Sequence, residues 1–172
     1  MDVKIVERDE TKLVGMVFYG DPFKEVQGWS DENQIGRLWT RFNTYREAHP
    51  ELFEHAIEPT VGYEVHVGTD EYEETKEYFI YVGVQVPSFE SVPPVTFGKV
   101  LEAGTYALVT LKGEEIASNW GDAIYKEWLP ASEYEEGLPY TIERYDARFK
   151  GPEDPESVLE ILVPVKLKTS EG

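Results

Sequence analysis

The chain has 172 residues, 41% of them hydrophobic, with 8 Phe, 4 Trp and 11 Tyr, and this supply of core-forming side chains excludes a disordered chain and predicts one folded domain. Its 34 acidic and 16 basic residues give a net charge of -18, which disfavours direct binding to nucleic acid or to an anionic membrane surface. The absence of cysteine excludes disulfides, thiolate nucleophiles and Cys-ligated zinc.

The first half of the chain predicts the order βαββ. Residues 12–19 are rich in Val, Leu and aromatic side chains and predict a strand that ends at a turn over 20–22. Asp31 is the expected N-cap of a helix that ends before Pro50, with apolar residues at helical spacing: Ile35, Leu38, Trp39, Phe42 and Tyr45. Alternation then predicts a strand over 62–68, with Glu64 and His66 on its uncovered face, and another over 78–86.

The second half repeats this order. Residues 97–111 predict strand, with a candidate turn at 102–104, and strands are also expected over 140–149 and 158–167. Between them, a stripe of apolar residues predicts a helix that ends before Pro130: Ile116, Trp120, Ile124 and Trp128. The repetition predicts a single α+β domain over residues 1–172, whose halves, about 1–92 and 93–172, are related by a pseudo-two-fold axis and leave a cleft at their junction.

Common catalytic signatures are missing. The chain has no glycine-rich phosphate loop, Walker sequence, GxSxG elbow or HExxH pair. His49, His55 and His66 lack the short spacing of a local metal site, and the acidic segment 70–77 lacks the pattern of an EF-hand loop. We therefore expect no metal and no cofactor. Because the amino terminus does not resemble a signal peptide and no apolar run reaches the length of a membrane span, we also expect a cytoplasmic protein without a membrane partner.

Glu143 is the most informative polar residue. It interrupts an apolar and aromatic strand pattern and shares a strand face with Thr141 and Tyr145. If that face lines the cleft, burial raises the pKa of Glu143, whereas a bound cation lowers it. A lipophilic cation would gain from both the carboxylate and the aromatic faces. The alternative is a solvent-facing glutamate paired with Arg148 or another base.

Aromatic residues with polar tips are numerous enough to build a pocket. Trp39, Trp120 and Trp128 lie at helical spacing, which is typical of core residues when each is taken alone. The strands and loops add further rings of this kind: Tyr19, Tyr63, Tyr106 and Tyr145. Core packing and pocket lining are compatible roles for such a set.

Several motifs in this order resemble the GyrI-like small-molecule-binding domain, the effector-binding domain also fused to AraC-type and MerR-type regulators. They are LEAGTYALVTLKGE, NWGDAIYKEWLPASEYEEG, PYTIERYDARF and EILVPVK, preceded more loosely by GRLWTRF, VGYEVHVG and EYFIYVGVQVP. The resemblance implies two SHS2-like βαββ halves around a central groove that binds hydrophobic, often cationic compounds. Matching positions assign ligand binding to Glu143, Tyr145, Trp39, Tyr106 and Trp128. No room is expected for a helix-turn-helix domain, so we expect a stand-alone member.

Three functions follow from the resemblance. The first is a stand-alone module that binds hydrophobic, cationic or flat aromatic compounds, with Glu143 as the counter-charge. The second is a hydrolase of strained or electrophilic compounds of the cyclopropanoid type, with Glu143 as general base. The third is an acidic protein-interaction module, such as a gyrase antagonist, that docks a basic protein partner.

Overall fold

The computed structural model describes residues 1–170 as one antiparallel sheet with helices on one of its faces. The strands are β1 (Asp2–Arg8), β2 (Thr11–Gly20), β3 (Gly62–Val67), β4 (Tyr78–Val86), β5 (Phe97–Leu101), β6 (Gly104–Lys112), β7 (Tyr134–Glu136), β8 (Tyr140–Tyr145) and β9 (Val158–Leu167). The helices are α1 (Gln34–Ala48), α2 (Tyr72–Thr75), α3 (Trp120–Asp122) and α4 (Leu129–Ala131), with a π-helical stretch (Ala123–Trp128) joining the last two. Short 3-10 turns lie at Pro50–Phe53 and Gly113–Glu115.

The order of strands across the sheet shows the duplication. It runs β1-β6-β9-β8-β3-β4-β2-β5, and β7 pairs with β9. The units β2-α1-β3-β4 and β6-α3-β8-β9 therefore lie on either side of the junction between β3 and β8. The strand before each unit pairs with the other unit. β1, which precedes the first unit, pairs with β6 of the second, and β5, which precedes the second unit, pairs with β2 of the first. The predicted α+β class and its repeated βαββ order are confirmed.

Register explains where the helices pack. One row across the sheet contains, in order, Met16, Val82, Glu64, Glu143, Ile161 and Val109. The apolar residues at its two ends pack under α1 on one side and under the helical segment from Trp120 on the other. Tyr63, Val65, Tyr81 and Ile142 belong to a third cluster on the opposite face of the sheet. The two carboxylates in the middle of the row thus lie between the two helices.

Three local predictions need correction. The chain opens with β1, ahead of the first predicted strand, and the N-cap of α1 is Asn33 rather than Asp31. The strand β8 stops at Tyr145, not at residue 149, because Asp146 turns the chain by accepting the backbone N–H groups of Arg148 and Phe149.

The second helix also differs from its prediction. It begins at Trp120, so Ile116 lies outside it, and it continues past Pro130 to Ala131. The π-helical stretch ends at Trp128, which leaves Pro130 in the first turn of α4. A proline is tolerated there because its missing N–H is not needed. No helix within residues 1–170 is long and apolar enough to cross a membrane.

Candidate functional site

A cavity of about 930 Å³ lies over β3 and β8 and extends between α1 and the start of α3. Its volume falls in the range of roughly 300 to 1,000 Å³ that is typical of sites for drug-sized ligands. The loop before α1 contributes Trp29 to one side, and the turn after β8 contributes Phe149. The cavity is also lined by Trp39, Asn43, Arg46, Gly62, Glu64, His66, Trp120, Glu143, Tyr145 and Asp146.

Three polar side chains form the floor of this cavity, and we call them the floor cluster: Glu64, His66 and Glu143. Glu64 and Glu143 are directly opposite each other in the β3–β8 ladder and are only 4% and 3% exposed. Between them, His66 Nε2 lies 2.6 Å from Glu64 Oε2 and 3.0 Å from Glu143 Oε2. Antiparallel pairing, which brings residues distant in sequence side by side, thus produces a histidine bridge between two buried carboxylates.

Aromatic donors occupy the other oxygen of each carboxylate. Trp39 Nε1 donates a hydrogen bond of 2.7 Å to Glu64 Oε1, and the Tyr145 hydroxyl donates one of 2.7 Å to Glu143 Oε1. The two rings meet edge to face, with centroids 5.8 Å apart. Gly62 makes this arrangement possible, because a Cβ at this position would lie 2.7 Å from Cη2 of Trp39.

Further rings extend the aromatic wall from Tyr145 towards solvent. The Phe149 ring packs edge to face on Tyr145 at 4.7 Å, and Trp29 stacks on Phe149 at 5.9 Å. Trp29 is 46% exposed, so its ring lies at the mouth of the cavity. The wall offers several faces on which a flat or positively charged ligand can stack.

The charges of the floor cluster shift one another's pKa values. Burial, together with the charge of Glu64, raises the pKa of Glu143 to about 7, although His66 opposes this shift. Burial alone would lower the pKa of His66, but Glu143 and Glu64 outweigh it and raise that pKa to about 10. Burial alone would also raise the pKa of Glu64. The hydrogen bond and the positive charge of His66, together with the hydrogen bond from Trp39, outweigh burial and lower the pKa of Glu64 overall. Near neutral pH, His66 is therefore an imidazolium beside an ionised Glu64.

The donor atoms of the floor cluster lie within 4.8 Å of one another. A histidine and two carboxylates could hold a divalent cation at such a spacing. The hydrogen bond of His66 to Glu64 and its ion pair with Glu143 already account for the short distances, so we interpret the cluster as an ion-paired network.

The structure brings together three of the five residues assigned to ligand binding. Glu143, Tyr145 and Trp39 all line the cavity. The alternative of a solvent-facing Glu143 paired with Arg148 is wrong, because Glu143 is buried and Arg148 binds Asp146 and Glu160.

The other two residues, Tyr106 and Trp128, do not line this cavity. Tyr106 is 2% exposed in the cluster on the opposite face of the sheet, where its hydroxyl bonds the carbonyl of Glu102. Trp128 packs against the apolar cluster beneath the helical segment. Both positions are those of packing residues.

Sequence reasoning missed three residues of the site. It placed Glu64 and His66 on an uncovered strand face, whereas Glu64 is buried and His66 is 24% exposed within the cavity. Trp29 lies in a loop without periodicity. The signal that could have identified Glu64 is the one that identified Glu143, namely a carboxylate within an otherwise largely apolar strand.

An antiparallel sheet with two helices on one face, and a cavity with buried carboxylates between them, defines a small-molecule effector-binding domain. The chain belongs to the family of integron-associated effector-binding proteins, Cass2, whose family model matches residues 4–165. The resemblance to the GyrI-like effector-binding domain is thereby confirmed.

Individual relatives agree with this family. The transcriptional regulator BrlR of Pseudomonas aeruginosa is 30% identical over 167 residues, which are 96% of this chain and 56% of the regulator. The chain thus spans little more than half the length of this curated relative. The fold is similar to that of SAV2435, solved bound to tetraphenylphosphonium, with a TM-score of 0.68, 12% identity and coverage of 96% of this chain and 94% of that one. The integron cassette protein VCH_CASS2 of Vibrio cholerae gives a TM-score of 0.60 and 17% identity, with 95% of both chains covered.

Proposed function

We propose that this chain binds lipophilic organic cations, with Glu143 as the counter-charge and Trp39 and Tyr145 as stacking surfaces. The observation that carries the proposal is the charge of the cavity floor. Two buried carboxylates face the cavity, and one imidazolium neutralises only one of them. A charge left in an apolar, poorly screened environment strongly favours an incoming cation.

The aromatic wall supplies the second part of the binding energy. A cation stacked on Trp39, Tyr145 or Trp29 gains about 0.5 to 2 kcal/mol for each well-placed ring, in addition to the burial of its own apolar surface. Tetraphenylphosphonium, bound by the structurally similar SAV2435, is a cation of this class and is therefore the probe of choice.

The test is a titration calorimetry series at pH 7.5 with tetraphenylphosphonium and with the neutral triphenylphosphine oxide. We expect Glu143→Gln to weaken binding of the cation at least tenfold, equivalent to about 1.4 kcal/mol, and to change binding of the neutral compound less than threefold. The matched control is Glu153→Gln, an exposed glutamate outside the cavity, which removes the same global charge.

Two outcomes would contradict the proposal. One is a wild-type protein that does not bind the cation at millimolar concentration. The other is a folded Glu143→Gln protein that binds the cation as tightly as the wild type does.

Hydrolysis is a second candidate, because a carboxylate whose pKa is raised to about 7 suits a general base near neutral pH. It predicts that wild type, but not Glu143→Gln, converts a strained electrophilic aromatic compound to a hydrated product. Product analysis by liquid chromatography separates this function from binding without turnover.

A further inference from the structure

His66 is an internal cation at the point where a ligand cation would approach Glu143. Its Nε2 faces both carboxylates, at 2.6 Å from Glu64 and 3.0 Å from Glu143. The second oxygen of each carboxylate is already bonded to Trp39 or Tyr145. Each carboxylate oxygen thus already has one partner within the protein, and a ligand cation changes mainly the charge and the protons of the floor cluster.

Few other titratable groups face His66. The strand β4 places the Tyr78 ring 5.6 Å from it, and β8 contributes Tyr145 behind Glu143. From α1, Trp39 is uncharged, and Arg46 on the cavity wall bonds the carbonyl of Pro59 and Asn43. Asp146 is neutralised by Arg144 and Arg148. The charges of Glu64 and Glu143 thus set the protonation of His66, and the charge of His66 in turn affects the protonation of both carboxylates.

The protons of the cluster can be counted. With His66 protonated and both carboxylates ionised, the three groups carry one net negative charge. One further proton makes them neutral. Because Glu143 is buried opposite Glu64, two adjacent carboxylates compete for that proton. The pKa of about 7 for Glu143 places the change between these two states near neutral pH.

We propose that binding of a lipophilic cation drives one proton out of the floor cluster, while His66 remains as the internal cation that neutralises the second carboxylate. This inference rests on the proposed function and adds its regulation by pH. A positive charge near Glu143 stabilises the ionised carboxylate, so the cation and the proton exclude each other.

Calorimetry in two buffers of different ionisation enthalpy measures this exchange directly, with tetraphenylphosphonium as a cation that cannot itself titrate. We expect release of nearly one proton at pH 5.5, about half at pH 7 and almost none at pH 8.5. As the pH rises towards 7, the dissociation constant should decrease by up to tenfold per pH unit, and above pH 7 it should level off. Binding of triphenylphosphine oxide should not change with pH.

The role of His66 is tested by His66→Gln, which keeps a hydrogen-bond donor and removes the charge. Without the imidazolium the pKa of Glu143 rises, so we expect the pH profile of cation affinity to move at least one unit upward. His49→Gln is the matched control, because His49 is an exposed residue next to Glu51 at the end of α1. We expect it to leave the profile unchanged.

The outcomes are distinguishable. Wild-type binding of the cation with no proton release and a constant affinity from pH 5.5 to 8.5 overturns the coupling but leaves the proposed function standing. Absence of cation binding at every pH overturns both. A His66→Gln profile identical to that of wild type overturns the role of His66, and if this variant does not fold, the wild-type proton count alone decides the coupling.

Discussion

The hydrogen bonds of Glu64 and Glu143 connect the charge of the cavity to the shape of its wall. Each carboxylate holds one aromatic ring, Trp39 or Tyr145, through a bond of 2.7 Å. The indole of Trp39 in turn occupies the space left by the missing side chain of Gly62. A substitution at any of these positions therefore alters both the electrostatics and the contour of the site.

Tyr106 offers a prediction at the scale of one residue. Its hydroxyl donates to the Glu102 carbonyl at 2.6 Å and lies 2.9 Å from the Tyr140 hydroxyl, away from the cavity. Tyr106→Phe leaves these buried partners incompletely bonded, so we expect a loss of about 1 to 3 kcal/mol in the free energy of unfolding. Urea denaturation measures this loss.

Affinity for tetraphenylphosphonium should stay within twofold of wild type in Tyr106→Phe, since Tyr106 lies on the opposite face of the sheet. Tyr45→Phe serves as the control, because Tyr45 is a half-buried tyrosine that does not line the cavity. A folded Tyr106→Phe protein with strongly weakened cation binding would contradict the structural role of Tyr106.

Local pattern could identify part of the site at this scale. Strand alternation correctly placed Glu143 and Tyr145 on one face, because side-chain direction along a strand is a local property. Glu64 and His66 join them only through the pairing of β3 with β8, which depends on contacts between residues far apart in sequence. The motif resemblance grouped Tyr106 and Trp128 with the site, although local packing accounts for both.

At the scale of the element, Asn33 fastens the loop that carries Trp29 to the start of α1. Its Oδ1 accepts the N–H of Gly36 at 2.9 Å, and its Nδ2 donates to the Gly28 carbonyl at 2.7 Å. The side chain is 4% exposed. Through these two bonds, the N-cap of the helix also sets the position of one side of the cavity.

The two bonds of Asn33 are separable by substitution. Asn33→Asp keeps the acceptor that caps α1 and removes the donor to Gly28, whereas Asn33→Ala removes both and should lower the free energy of unfolding by about 1 to 2 kcal/mol. We expect faster amide hydrogen exchange in residues 21–32 for both variants, and faster exchange at the start of α1 only for Asn33→Ala. If residues 21–32 were equally protected in Asn33→Asp and in wild type, the bond to Gly28 would not be what holds this loop.

Most elements could be predicted from pattern, and the failures have specific causes. Strands β4 and β9 match their predicted bounds, and the candidate turn at 102–104 separates β5 from β6. The missed β1 is mostly exposed, with the sequence DVKIVER, so it has little of the apolar alternation that marks a strand. Its stability depends on pairing with β6.

For the whole molecule, the floor cluster predicts how stability depends on pH. Folding raises the pKa of Glu143 from 4.5 to about 7 and that of His66 from 6.5 to about 10. The lowered pKa of Glu64 acts only in more acidic solution. Between about pH 5.5 and 10 the folded state therefore binds more protons than the unfolded state, and the free energy of unfolding falls as pH rises. We expect a lower urea midpoint at pH 8.5 than at pH 5.5.

Substitutions of Glu143 and His66 show how much each group contributes to the pH dependence of the free energy of unfolding. Glu143→Gln should flatten the decline between pH 5.5 and 7, and Glu153→Gln should retain the wild-type slope. His66→Gln should reduce the decline at pH values above the raised pKa that Glu143 has in that variant. A midpoint that rises with pH across this window would contradict the protonation states deduced for the cluster.

The docking of a basic protein partner stays a prediction, for which the net charge of -18 is the supporting observation.

The pairing of β1 with β6 and of β5 with β2 makes the two halves of the chain resemble the subunits of a domain-swapped dimer. Each half gives its leading strand to the other and receives one in return. A fragment containing only one half would expose the edge that its lost neighbour covers, and it would contain only one of the two carboxylates. Neither half can therefore form the histidine-bridged pair of carboxylates by itself, because Glu64 and His66 lie in one half and Glu143 lies in the other.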